Sequence, residues 1–146
     1  MDTLRIDSKS VDLEAMIDRG VHLHGHLGPF LVAGIRMGLL ALELLKSPGY
    51  FGIAVVSQTG SVTPLSCLTD GIQIGSGCTT GKGNLRVTDK KRAQARFTTD
   101  DGRSVTIAVR PEVVRGFRSG DVSEASRLTM RRPVEELFTW EIGAVP

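Results

Sequence analysis

Cys67-Leu68-Thr69-Asp70-Gly71-Ile72-Gln73-Ile74-Gly75-Ser76-Gly77-Cys78-Thr79-Thr80-Gly81-Lys82-Gly83-Asn84-Leu85 is the stretch on which the reading of this chain turns. It holds both cysteines, and five of its nineteen positions are glycine, so sulfur stands beside backbone free to reach positive φ or to approach another group closely. Leu65 to Ile74 reads as a short amphipathic helix with Cys67 and Asp70 on one face, and Gly75 and Gly77 supply its C-terminal stop. Cys78 then falls just beyond the helix. An unbroken helix would separate the two sulfurs by roughly 16 Å, too far for one ion. A reversal at the glycines permits a shared site; without it each cysteine serves a different site, one of them across a subunit boundary.

Upstream, Val11 to Gly20 reads as a first helix closed by Gly20. Val21-His22-Leu23-His24-Gly25-His26-Leu27-Gly28-Pro29 follows and contains all three histidines at alternate positions. In an extended segment His22, His24 and His26 present their imidazoles to one side. Imidazole together with thiolate suits zinc and similar ions, although a lone histidine is more often a satisfied core or surface residue. Pro29 fits the first turn of a helix running to Leu45 that is apolar on nearly every side, as a central buried helix is. Gly34 and Gly38 imply close approach of another backbone, and Arg36 and Glu43 a salt bridge in packing or at a subunit contact. Phe51 to Val56 reads as a buried strand, which makes a strand-to-helix crossover with the Cys67 helix.

Downstream, Asn84 to Thr88 and Ala93 to Thr99 are candidate strands, and Asp100-Asp101-Gly102-Arg103 is a hairpin turn leading into Ser104 to Val109, which Pro111 closes. Asp121 to Trp140 has a helical pattern broken by Pro133, and Trp140 reads as an anchor of this tail. Residues 82–118 carry ten Lys or Arg against four Asp or Glu, within a net charge of +2. Without interleaved aromatics this is a solvated face, which argues against nucleic acid. No apolar run is long enough to span a bilayer, and Met1 to Ser10 lacks the apolar core of a secretory signal. Two cysteines make no disulfide framework, and the expectation is a cytoplasmic protein of one domain over residues 1–146.

Gly81-Lys82 does not complete a phosphate loop, because Ser76 stands where the first glycine belongs and Gly83 where Ser or Thr must follow the lysine. A simpler anion pocket using Lys82 and glycine amides stays open, as does a Cys-His nucleophilic pair. Cys78 has no C-x-x-C partner for thiol exchange.

The combination His24-Gly25-His26-Leu27-Gly28-Pro29, Gly34, Arg36-Met37-Gly38, Cys67-x-x-Asp70-Gly71-Ile72-Gln73 and Gly77-Cys78-Thr79-x-Gly81-Lys82-Gly83-Asn84-Leu85 resembles the FmdE-like family, named for the E component of formylmethanofuran dehydrogenase. The resemblance covers residues 15 to 110. It implies an α+β fold: a mixed, largely antiparallel sheet, a buried central helix, and helices packed on one side; the last ~25 residues, read above as a helical tail, lie outside it. It also implies a metal site for zinc or a similar transition-metal ion, with His24, His26, Cys67 and Cys78 at the matching positions and His22, a water or Asp70 as supplements. Lys82 and Asn84 would orient an anionic substrate. The pattern departs at Gly28, where many relatives carry cysteine, and at Phe30, where they often carry glycine. The implied function is a metal-binding accessory subunit or small-molecule metalloenzyme, homodimeric and with redox-enzyme partner subunits. The alternative is a non-catalytic metal-dependent regulatory or structural module.

Overall fold

Pro29 opens the helix on which the rest of the molecule packs. In the computed structural model, which describes residues 2–144, helix α1 spans Leu13–His24 and α2 spans Pro29–Leu45. Thirteen of the seventeen residues of α2 are buried, because its Leu, Ile, Val and Met side chains leave no polar face to give to water. Arg36 is the exception that reaches a partner. Its guanidinium donates to the carbonyls of Thr129 (2.9 Å) and Arg132, and so caps a helix end instead of pairing with Glu43. Burial pulls its pKa down, against an opposing pull from Glu135.

One face of α2 lies on a five-stranded sheet made of β1 (Ile53–Ser57), β2 (Leu85–Val87), β3 (Gln94–Thr99), β4 (Arg103–Val109) and β5 (Phe138–Ala144). The strand order is β2-β1-β3-β4-β5, with β1 and β2 parallel and every other pair antiparallel. The parallel pair is joined by α3 (Cys67–Ser76), the crossover that the glycine-rich stretch foretells. Alternation along β3 and β4 sends Ala95, Phe97, Val105 and Ile107 into the core, while Arg96, Thr98 and Thr106 lie on the wetter face. The fold is therefore α+β with its helices on one side of a mixed sheet.

Helices α2 and α3 cross with their backbones in contact. A Cβ on Gly34 would come within 2.1 Å of the Leu68 carbonyl, and one on Gly75 within 2.1 Å of the Ile35 carbonyl. Glycine on both helices is thus what lets α3, and Cys67 with it, sit this close to the start of α2.

Three elements differ from the sequence reading. Helix α1 does not stop at Gly20; that glycine makes room for Ile35 of α2, and the helix ends four residues later at His24, capped by the left-handed Gly25. Pro111 opens α4 (Pro111–Ser119) after closing the strand. The tail is not helical throughout: α5 (Val122–Arg131) and α6 (Val134–Leu137) give way to β5, where Trp140 sits opposite Ile107 and packs on the core.

Candidate metal centre

Continuing α1 to His24 places its histidines on a helix, not on a strand. Residues two apart on a helix lie nearly on opposite sides. His22 therefore turns outward, its Nδ1 2.8 Å from the Asp18 carbonyl, while His24 turns inward with only 9% of its side chain exposed. Gly25 then reverses the chain and returns His26 beside His24, with ring centroids 4.7 Å apart.

The N-terminal turn of α3 faces these rings. Cys67 and Asp70, three residues apart on one face, approach His24 together. Asp70 Oδ2 lies 2.6 Å from His24 Nδ1. A carboxylate can only accept, so Nδ1 carries a proton, and in a neutral ring the lone pair is then on Nε2. That Nε2 is buried and has no hydrogen-bond partner. Around it, one ligand atom each of His24, His26 and Cys67 lie within 4.8 Å of one another, a group that could hold a metal ion. Around a tetrahedral zinc, Zn–N of about 2.0 Å and Zn–S of about 2.3 Å would put two nitrogens and one sulfur roughly 3.3–3.5 Å apart. Closing the shell needs a small inward swing, which the exposed His26 ring is free to make. His26 Nδ1 donates to the Leu27 carbonyl at 3.1 Å, and this leaves its Nε2 for a ligand as well. Burial pushes the Cys67 thiol up, and the Asp70 carboxylate adds to the effect.

The structure does not bring Cys78 to this group. Gly77, at φ 75°, turns the chain toward the sheet, so that Cys78 enters the core and its Sγ donates to the Ile53 carbonyl at 3.6 Å. Its thiol is raised by burial, opposed by Ser76 and Lys82. The pairing of the two cysteines in one site is thus replaced by one cysteine at the histidines and one in the core. Lys82 and Asn84 also have other partners. Asn84 Nδ2 donates to the carbonyls of Tyr50 (2.9 Å) and Ile53 (3.1 Å), and its Oδ1 accepts from Thr79 N. Lys82 Nζ donates to the Gly77 carbonyl at 2.6 Å and lies over the rings of Tyr50 and Phe51. Asn84 thus fastens the 77–84 loop to the start of β1, and Lys82 fastens it to the Tyr50-Phe51 turn before that strand.

His24, Cys67 and Asp70 open onto a cleft of about 320 Å³ whose other walls include Ser61, Thr63, Gln73 and Thr80. Larger hollows, of about 450 and 630 Å³, run along the N-terminal segment and contain neither His nor Cys. Chemistry, not size, singles out the smaller one. Beneath it Ser57, Thr59 and Thr69 form a buried chain of hydroxyls, with Thr69 Oγ1 2.8 Å from Ser57 Oγ and 2.9 Å from Thr59 Oγ1; Thr59 Oγ1 donates to the Gly60 carbonyl. This ties the cleft's rim to α3. No periodicity marks such a trio in sequence.

Residues 23–143 match the family model described as "FmdE, Molybdenum formylmethanofuran dehydrogenase operon". The chain belongs to the FmdE family. The match to FmdE reaches through the C-terminal helices into β5, beyond the residues that carried the sequence resemblance. Among curated proteins, a probable S-adenosyl-L-methionine-binding protein of Archaeoglobus fulgidus is 32% identical over 133 residues, covering 85% of this chain and 35% of that protein. The chain thus spans about a third of the length of this curated relative. Among solved structures, a tungsten formylmethanofuran dehydrogenase FmdE-like protein from Syntrophus aciditrophicus superposes with a TM-score of 0.72 over 99% of this chain and 78% of that one, at 18% identity. At that identity the likeness is one of FmdE fold. Among the described residues, no helix is long and apolar enough to cross a membrane.

Proposed function

We propose that this FmdE-family chain binds a zinc-like transition-metal ion through His24 Nε2, His26 Nε2 and Cys67 Sγ, with Asp70 holding the His24 ring in the ligating tautomer. The observation that carries the reading is the buried, partnerless Nε2 of His24. Leaving a polar atom dry and unpaired costs about 1–3 kcal/mol, a cost a bound ion removes. Carboxylate, imidazole and ion in series is the arrangement by which proteins fix a histidine ligand.

Three protein ligands beside a cleft are the donor count of a site that keeps a position for water or substrate. When bound, such an ion polarises a carbonyl or acidifies a water at that position. The chain's own residues would then do the rest. Asp70 orients His24, Ser61, Thr63 and Thr80 offer hydroxyls to a ligand in the cleft, and the hydroxyl chain under Thr69 keeps the rim in place. This supports a small-molecule metalloenzyme, or an accessory subunit of a redox enzyme as the family's operon description suggests.

Elemental analysis tests the ligand set. Wild type and Cys78→Ala are expected to hold about one ion per chain. His24→Ala and Cys67→Ser are expected to lose it while keeping their circular dichroism. Full metal content in either of the last two would overturn the assignment.

A further inference from the structure

The cleft at the metal group has a neighbour. Thr63 forms a wall common to it and to a second hollow of about 400 Å³, and the consecutive residues Thr59 and Gly60 line one each. The second hollow is also lined by Lys91 and Arg118. Neither makes an ion pair within 4.0 Å among the described residues, and the acid that shares the hollow is Asp89. The cations therefore outnumber the acid.

The segment carrying Lys91 is held in place. Arg92 N donates to the Gln58 carbonyl at 3.0 Å, Thr59 bridges to Asp89, and Lys91 itself adopts φ 55°, a left-handed conformation that non-glycine residues seldom take. The same hollow is lined by Val62, 72% exposed, and Leu65. Neighbouring hollows, one holding an imidazole with an unpartnered nitrogen and the other apolar side chains with two cations outside any ion pair, suit a two-ended molecule.

We infer that the two hollows form one continuous site for a small anionic compound. A carbonyl or similar oxygen head lies toward His24 and Cys67, a short methylene spacer runs over Val62 and Leu65, and a carboxylate or phosphate tail lies at Lys91 and Arg118. The inference rests on the metal reading above for its head group. It assigns the tail to residues which that reading leaves unused.

The test uses zinc-loaded full-length protein and isothermal calorimetry with the monohydroxamates of dicarboxylic acids from malonic to suberic. Each is measured beside its methyl ester, with acetohydroxamate as the head alone. At one spacer length the free acid is expected to bind about tenfold or more tightly than its ester, the weight of a hydrogen bond between charged groups. This ratio should shrink at high ionic strength, because both cations are solvent-exposed. It should collapse toward unity in the Lys91→Gln, Arg118→Gln double variant, whose folding is checked by its Tm. Replacing the carboxylate by a phosphonate at the best length decides which tail is preferred. Equal binding of acid and ester at every length, or a ratio that survives the double substitution, would overturn the inference while leaving the metal site standing. Acetohydroxamate that binds wild type no better than Cys67→Ser would instead bring down the metal reading, and this inference with it.

Discussion

Replacing Gly34 by alanine separates the packing account from helix propensity by sign. In a helix interior alanine is favoured over glycine by about 1 kcal/mol, so propensity alone predicts stabilisation. The structure predicts the reverse. The new Cβ would lie 2.1 Å from the Leu68 carbonyl oxygen and 2.9 Å from both Gly71 Cα and Ile72 N, where ordinary contact begins at 3.4 Å. All three are backbone atoms, which no rotamer change can move. Helices α2 and α3 must therefore part by about an ångström, at an overpacking cost of about 1–3 kcal/mol or more, since α2 is also fixed against the sheet. Because every clash is with backbone, the upper end of that range applies; after the propensity gain of about 1 kcal/mol the net loss is about 2 kcal/mol, which for a domain of this size lowers Tm by about 5 °C. Gly81, with nothing within 4 Å of its Cβ, is the control: Gly81→Ala should change stability by less than about 0.5 kcal/mol. Thermal and urea unfolding of the three proteins decide it. A Tm at or above wild type for Gly34→Ala would refute the close crossing, and with it the placement of Cys67 beside the histidines.

Asp70→Ala should weaken metal binding about 10–100-fold in competition with a chromophoric chelator, because His24 loses the partner that fixes its tautomer; unchanged affinity would remove Asp70 from the site. Gly28 is in extended backbone, φ −157°, and a Cβ there would lie 3.4 Å from His26 Cε1, so Gly28→Cys should supply a fourth ligand. Cobalt-substituted protein should then show stronger thiolate-to-metal absorption and no exchangeable water. Arg36→Met should cost about 1–3 kcal/mol in chemical denaturation by stranding the carbonyls of Thr129 and Arg132, whereas a salt-bridge role with Glu43 would make the loss salt-dependent.

Much of the fold is written locally. Pro29 at a helix start, the Asp100–Arg103 turn between alternating strands, and an apolar α2 each rest on one physical rule acting within a few residues, and each is present. The misreadings share a different origin. Gly20 carries the signature of a helix stop, but it is a packing glycine against Ile35, and only the tertiary contact tells the two apart. That one misreading turned His22 and His24 into neighbours on a strand, when the helix sends one outward and the other to Asp70. Cys78 follows the same pattern: sequence gives a reversal at Gly77 but not its direction, and the direction decides between imidazole and core. Strand β5 was hidden because its ladder partner, β4, lies some thirty residues away along the chain, and pairing at that distance leaves little local trace. The Ser57, Thr59 and Thr69 chain was hidden for the same reason.

The central claim is tested most directly by crystals of the zinc-loaded protein, with anomalous differences collected at the zinc edge. The account predicts one peak, about 2.0 Å from His24 Nε2 and about 2.3 Å from Cys67 Sγ, with His24 Nδ1 still held by Asp70. A peak bound to Cys78, or a fully loaded protein with no peak at His24, would contradict it.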